Sequence, residues 1–421
     1  MKHRNIFIIG LLFVAIGAIG LYSARNWFKS TDVARQKTGS VASVAVANNT
    51  FAIDYYSKLA GQESGNIFFS PFSISSALAM TYEGARGQTA EEMSRVFHFP
   101  EDAKVRRNEY ANLFSLLNKP ESEYKLSVAN ALWVQNDYPF SSDFFNNVEE
   151  YYGGKVTNLD FVKNPEKSRV TINTWVEGKT NNKIRDLISD GVLTSDTRLV
   201  ITNAIYFKGS WVKEFDPKLT KDMAFKTSRK RTDVPMMQKT DKSAIFNYFE
   251  NNSLQILELP YSGEDLSMVI LLPKKDDPTT LERMLSAEEL SSWQKEVENR
   301  QVEVYLPRFK FETKYMMAND LKEMGMPTAF TNMADFSGMV SGEQGRLKID
   351  AVIHQAFVDV NEEGTEAAAA TAVVGVGYSS KPLIPPKIPV FKADHPFIFL
   401  IRENSTGSIL FMGRVSDPSV E

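Results

Sequence analysis

The chain of 421 residues contains no cysteine. That one absence removes disulfides, thiolate nucleophiles and cysteine-ligated metals together, so stability has to come from packing. Histidine is nearly as scarce. The four are His3, His98, His354 and His395, and none stands in a metal-binding spacing such as H-E-x-x-H. There is no G-x-S-x-G elbow and no phosphate-binding loop. Gly375-Val376-Gly377 begins a G-x-G-x-x-G, but Ser380 breaks it and no strand-turn-helix context surrounds it. No metal and no cofactor is expected. Net charge is small as well, at −4. A nucleic-acid binder ordinarily carries a basic stripe. The one dense basic run, Arg229-Lys230-Arg231, reads as solvated loop charge, and no nucleic-acid partner is expected.

What is present is apolar. Hydrophobic residues make up 43% of the chain, enough to bury a large core. Length alone permits two or three domains or one large one. No linker-like break interrupts the stretch from Thr50 to Pro418, which favours one. The N-terminus differs from the rest. Lys2-His3-Arg4 precede an uncharged apolar run from Ile6 to Ala24, with a small-residue cleavage site at Ala18-Ile19-Gly20. Residues 1–24 read as a signal peptide or a membrane anchor, and 6–24 is just long enough to span a bilayer. Positive charge follows at Arg25 and Lys29, so loop charge does not settle orientation. Either reading places the remainder outside the cytoplasm, secreted or anchored on the outer side of the membrane. Residues 25–48 read as a linker and 49–421 as the folded domain.

Within that domain, Ser70-Pro71 predicts a helix start, with Ser70 capping and Pro71 at the first helical position, and Gly84 and Gly87 closing the segment. Thr89 and Glu92 form a capping-box pattern for the next helix. Val170 to Ile188 reads as helical. Strand signals dominate the second half. Val302 to Leu306 alternates. Leu254–Leu259 and Leu266–Leu272 flank Ser262-Gly263-Glu264-Asp265 as a hairpin, and His395–Arg402 with Ser408–Val415 form another. Leu199 to Phe207 is apolar on both faces, as in a central strand. Helices crowd the first half and strands the second, which indicates an α+β fold.

The stretch Asn361 to Ser380, NEEGTEAAAATAVVGVGYSS, fits neither a core element nor a linker. It lacks bulk, yet carries no charge from Ala367 to Ser380 and no proline from Gly364 to Lys381. Written as a strand, one face holds Thr365, Ala367, Ala369, Thr371, Val373 and Gly375; the other holds Glu366, Ala368, Ala370, Ala372, Val374 and Val376. Such a segment is able to slide between two existing strands, or to stay in water.

Here the sequence resembles the serpins, inhibitors of serine and sometimes cysteine proteases. Glu362-Glu363-Gly364-Thr365-Glu366-Ala367-Ala368-Ala369-Ala370-Thr371 is similar to the hinge of the serpin reactive loop. Asn66 to Ile74, Thr202 to Trp211, Leu306-Pro307-Arg308-Phe309, Asp394-His395-Pro396-Phe397 and Phe411-Met412-Gly413-Arg414-Val415 match further family motifs in order, over about Thr50 to Pro418. The resemblance implies a single large α+β domain, with helices packed on a large mixed central sheet plus smaller sheets and a loop exposed at about 362–390. It implies a monomeric suicide substrate and no enzymatic activity of its own. A target protease cuts the loop, becomes trapped as an acyl-enzyme, and the freed segment inserts into the central sheet.

The family's spacing puts the scissile bond at Tyr378-Ser379, and a tyrosine there suits a chymotrypsin-like target. A cysteine protease is a further target class. Lys381 is followed by Pro382, which obstructs trypsin-like cleavage. The segment from Ser379 to Asp394 is longer than usual and proline-rich (Pro382, Pro385, Pro386, Pro389), so the cut position depends on that extra length. Ser70, Ser73, Asn203 and His354 match the family's polar shutter beneath the sheet. Glu362 and Arg308 match a pair near the hinge, and Trp211 matches the tryptophan where insertion begins. Each also has a plainer role, in core hydrogen bonding, surface pairing or aromatic packing. The alternative reading is a non-inhibitory relative that binds or chaperones other proteins. A hydrolase using His354 as base is a third, although His354 lies in an apolar run and reads as a satisfied core histidine. Asn48, Asn251 and Asn404 sit in N-x-[ST] sequons.

Overall fold

In the computed structural model, residues 42–119, 122–340, 347–365 and 387–420 are described. The first helix, α1 (Ala42–Gln62), begins inside the stretch expected to be a linker. Small residues looked like linker material, but Val44, Ala45 and Ala47 are buried, and the Asn48 side chain donates to the Ile409 carbonyl at 2.9 Å. Glu109 closes the open end of α1, accepting from the Val44 amide at 2.7 Å and the Ser43 hydroxyl at 2.6 Å.

Helix α2 (Pro71–Tyr82) starts as its sequence dictates. Ser70 is the cap and its hydroxyl accepts from the Ser73 amide at 3.1 Å. Every residue from Pro71 to Thr81 is buried, so α2 is a core helix whose small serines and alanines allow close approach on all sides. Helix α3 (Gly87–Phe97) starts before the expected capping box, with Arg86 at the cap position. Thr89 instead accepts from the Asp335 amide, and Glu92 accepts from the amide and hydroxyl of Thr328; tertiary partners took both side chains away from their own helix end. Helices α4 (Ala103–Leu117) and α5 (Ser142–Tyr152) follow. Helix α6 (Pro165–Lys179) runs earlier and ends sooner than the expected Val170–Ile188. Asn181 and Asn182 take positive φ and turn the chain away, while Ile184, Leu187 and Ile188 stay buried without being helical. Three short helices come later: α7 (Thr279–Met284), α8 (Ala287–Lys295) and α9 (Ala318–Met324).

The strands form three sheets among the described residues. The six-stranded central sheet has the order β12 (Phe309–Met316), β13 (Ala351–Val360), β14 (Gly364–Thr365), β4 (Leu199–Ser210), β2 (Tyr124–Gln135), β3 (Lys155–Leu159). It is mixed: β13 runs parallel to β4, and β3 parallel to β2. A seven-stranded sheet has the order β1 (Ile67–Phe69), β17 (Ile409–Val415), β16 (Phe397–Glu403), β9 (Leu266–Pro273), β8 (Leu254–Pro260), β7 (Ile245–Glu250), β10 (Glu298–Gln301). It contains both expected hairpins, β8–β9 and β16–β17. A four-stranded sheet has the order β15 (Val390–Lys392), β11 (Glu303–Pro307), β6 (Arg231–Lys239), β5 (Lys221–Lys226).

Two apolar clusters sandwich the central sheet. The larger one contains α2 and the aromatic residues of β1, β16 and β17, with Phe68 stacked on Phe411 and Phe399. The smaller lies under α6, where Ile172 and Val176 meet Ala129, Ala131 and Trp133 of β2. Trp133 packs edge-on against Trp175 and donates its indole N–H to Thr202 at 2.7 Å. Strand β4 is therefore buried on both faces over Leu199–Phe207, as its unbroken apolar run requires.

Replacing Glu109 by alanine is expected to leave the Val44 amide and the Ser43 hydroxyl at the start of α1 without their partner. The cost should be about 1 kcal/mol, the usual loss for a helix cap. The urea midpoint of E109A against the wild type measures it.

Candidate functional site

The central sheet has a seam. Strands β4 and β13 pair directly from Val200–Ala351 to Tyr206–Phe357, and beyond that point they diverge. The chain leaves β13 through a tight turn in which the Asn361 amide donates to Gly364 and the Gly364 amide to Asn361. It then folds back as β14 into the mouth of the seam. Gly364 pairs with Ser210, and Thr365 pairs with Gly209 on one side and Val360 on the other, antiparallel to both. Only glycine fits at 364: a Cβ there would lie 2.0 Å from the Gly209 carbonyl oxygen and 2.7 Å from the Ser210 Cα. Thr365 is buried, and its hydroxyl shares a 2.7 Å hydrogen bond with the Tyr261 hydroxyl.

The turn is held from three directions. Trp211 stacks on Tyr261 at 4.5 Å, donates its indole N–H to the Asn361 carbonyl at 3.0 Å, and donates its amide to Glu363 at 2.8 Å. The Phe215 amide donates to the Glu362 carbonyl at 2.9 Å. The Glu362 carboxylate is 5% exposed and receives two prongs of the Arg308 guanidinium, Nε and Nη2, at 2.6–2.8 Å, together with the Thr220 hydroxyl. Burial by itself would raise its pKa; the Arg308 and Thr220 hydrogen bonds more than offset that and hold the carboxyl below its ordinary value. Arg308 is half exposed, so the pair is anchored in the fold on one side and wet on the other.

Lower down the seam lies a buried polar row. Asn130 of β2, Asn203 of β4 and His354 of β13 are register partners at one level of the sheet. His354 Nε2 accepts from the Ser70 amide at 3.0 Å, so the proton sits on Nδ1, which donates to Asn203 Oδ1. Asn203 Nδ2 donates to Ser73 Oγ and Asn130 Oδ1; Asn130 Nδ2 donates to Ser76 Oγ at 2.7 Å. Ser70 Oγ donates to the Leu410 carbonyl at 2.6 Å. The row thus ties three strands of the central sheet to α2 and β17. Burial pushes the His354 pKa down to about 3, only partly countered by its bond to Asn203, so the ring is neutral and takes part as one donor and one acceptor. Fully buried and doubly bonded, it has no free nitrogen to act as a base on a substrate, which removes the hydrolase reading.

The structure therefore brings Ser70, Ser73, Asn203 and His354 together, and Glu362, Gly364, Thr365, Trp211 and Arg308 together at the mouth of the seam. Glu366, Ala367, Ala368, Ala369, Ala370, Thr371, Tyr378 and Ser379 lie outside the described residues. Sequence reasoning missed Asn130, Ser76, Tyr261 and Thr220. Asn130 alone left a signal, as a lone amide within the apolar run of β2. Of the sequons, Asn48 is buried with its amide engaged, whereas Asn251 and Asn404 are exposed. Among the described residues no helix is long and apolar enough to cross a membrane, and residues 6–24 lie outside them.

The family model described as Serpin (serine protease inhibitor) matches residues 46–418. An uncharacterized serpin-like protein of Methanosarcina acetivorans is 44% identical over 408 residues, covering 93% of each chain. Human leukocyte elastase inhibitor is 43% identical over 382 residues, covering 88% of this chain and 98% of its own. Uncleaved ovalbumin superposes with a TM-score of 0.80 at 32% identity, covering 89% of this chain and all of its own.

His354 sets a pH dependence. The folded state binds fewer protons than the unfolded chain between about pH 3 and pH 6.5, so the stabilisation is complete above 6.5 and is lost as pH falls toward the folded value. The slope contributed is at most about 1.4 kcal/mol per pH unit. Urea midpoints between pH 7 and pH 5 should fall in the wild type and fall less steeply in His354→Asn.

Proposed function

This chain belongs to the serpin family, and from that premise we propose that it traps a chymotrypsin-like serine protease as a suicide substrate, using residues after Thr365 as bait. Serpin loop insertion is an established case of an order change driven by stored strain. The observation that carries the reading here is β14: Gly364 and Thr365 already lie between β13 and β4, antiparallel to both, so continued insertion would replace the direct β13–β4 pairing at Val200–Tyr206.

Continuing that register gives a specific arrangement for the inserted strand. Ala367, Ala369 and Thr371 would share the face of Thr365, which is buried, so nothing charged or large would enter the core on that side. Six residues beyond Thr365, Thr371 arrives opposite Asn203 on one side and His354 on the other. Insertion has to break the hydrogen bond between those two, because it crosses the seam. A threonine hydroxyl both donates and accepts, so it is able to re-satisfy the separated pair. Some ten new ladder bonds at about 1 kcal/mol each give on the order of 10 kcal/mol, comparable with the whole stability of an ordinary domain. From Gly364 to Tyr378 the extended chain spans roughly 46 Å at about 3.3 Å per residue, enough to carry a bound protease across the molecule.

Tyr378-Ser379 is the proposed cut. A ring-sized apolar pocket accepts tyrosine, whereas the small pocket of an elastase does not suit it. The apolar segment 6–24 supports a location outside the cytoplasm, secreted or anchored on the outer membrane face.

Incubation with chymotrypsin should yield a complex that survives a denaturing gel, a new terminus at Ser379 by mass spectrometry, and a nicked protein melting well above the intact one. Digestion with no complex and no rise in melting temperature would sink the proposal and leave the non-inhibitory reading. Thr371→Arg places an unpaired charge at the buried row, at a cost of several kcal/mol. It should leave the cleavage rate unchanged and cut the trapped fraction at least about tenfold, turning inhibitor into substrate.

A further inference from the structure

The bait has two ends. The first is the hinge; the second is β15, where the chain returns as an edge strand of the four-stranded sheet, paired among the described residues only with β11 over Glu303–Tyr305. Three residues on one edge make a weak attachment. Of these, Phe391 is buried and Val390 is exposed. The residues just C-terminal to β15 reinforce it. The Ala393 amide donates to the Tyr305 carbonyl at 2.9 Å, and the Lys226 amide of β5 donates to the Asp394 carbonyl at 2.8 Å. Next comes His395, 9% exposed, where the chain passes from the small sheet into β16.

Both ring nitrogens of His395 face acceptors. Nε2 lies 2.7 Å from the carbonyl oxygen of Pro273, at the end of β9, and Nδ1 lies 3.0 Å from the Asp394 carboxylate. Neither partner has a proton to give. A neutral imidazole carries one N–H and would leave one contact unmade; the imidazolium makes both. The site is therefore built for the cation. We propose that His395 is a positioning residue, a cationic staple that fastens the distal end of the loop by tying the β15–β16 junction to β9, and that the staple opens as pH rises.

The surrounding charges support this. Asp394 also pairs with Lys392 at 3.1 Å. Asp276, beyond the end of β9, adds attraction and is itself paired with Lys226 of β5. Lys274, beside Pro273, is engaged by Glu250 at 2.6 Å. Burial works against a charged ring, but the Asp394 carboxylate and the Pro273 carbonyl outweigh it, and the His395 pKa stands above its ordinary value. A raised folded-state pKa contributes stability that is complete below about 6.5 and is lost as pH climbs through the folded value. If residues after Thr365 serve as bait, opening the staple would release the distal anchor of that bait at β15. This last consequence rests on the bait-loop reading; the staple does not.

The test is hydrogen exchange of the full-length protein, followed by mass spectrometry on peptides spanning Val390–Ala393 and normalised to intrinsic amide rates, at pH 6 and pH 9. A parallel NMR titration of the imidazoles uses ¹³C-labelled histidine. In the wild type, protection of β15 should fall between the two pH values by about tenfold for each unit by which the His395 pKa exceeds that of free imidazole. In His395→Gln, protection should be low at both. Asp394→Asn, which keeps the shape and removes the charge, should move the wild-type transition to lower pH and guards against a His395 variant that fails to fold. Equal pH dependence in wild type and variants, or a His395 resonance titrating at or below pH 6.5, overturns the proposal. Because no protease is involved, a β15 that loosens with pH in a protein that never traps chymotrypsin upholds the staple and refutes the bait.

Discussion

The pairing of β4 with β13 is the constraint on which the rest of this molecule turns. Parallel neighbours in the middle of a sheet are normally a finished structure, buried on both faces and satisfied along their length. Here the pairing ends at Tyr206–Phe357, the strands separate, and the chain that leaves β13 bends straight back into the gap. Among the described residues, β14 occupies only the mouth of that gap, over Gly364–Thr365. The buried row of Asn130, Asn203 and His354 closes the seam with hydrogen bonds that must be broken for it to open. A fully satisfied polar row in a low-dielectric core resists separation more than apolar contacts would, since each separated group would otherwise be left unpaired.

The mouth of the seam combines rigidity with minimal bulk. Trp211, Tyr261 and the Arg308–Glu362 pair fix the turn, while Gly364 and Gly209 remove the side chains that would keep two backbones apart. Thr365 is small, uncharged and hydrogen-bonded through its hydroxyl, so it is buried without an unsatisfied group. The loop's other end is held differently. A short edge strand has few ladder bonds, and at its junction His395 contacts the Asp394 carboxylate and the Pro273 carbonyl. The turn at Gly364 is held by packing and close approach, whereas the stretch after β15 relies on hydrogen bonds made by His395.

Much of this could be read from the chain. The cap at Ser70, both hairpins of the seven-stranded sheet and the burial of β4 on both faces follow from local patterns, because a cap, a turn or an unbroken apolar run is written in neighbouring residues. The sequence motifs grouped Ser70, Ser73, Asn203 and His354, which do meet, but left out Asn130 and Ser76 of the same row. Misreadings arose where distant residues compete for a local signal. Thr89 and Glu92 have the spacing of a capping box, but Asp335 and Thr328 bind them. The residues from Ala42 to Asn48 look like linker until Glu109 and Ile409 supply partners that make them helix.

By itself the sequence determined the α+β class, the family and a segment with the composition of a strand. The tertiary structure decided that the hinge sits inside the sheet, that His354 is a neutral bridge to Asn203, and that His395 meets two acceptors at once. The physical reason is common to these cases. A hydrogen bond between strands depends on register, and register is a relation between segments that lie far apart along the chain, so no single stretch of residues contains it.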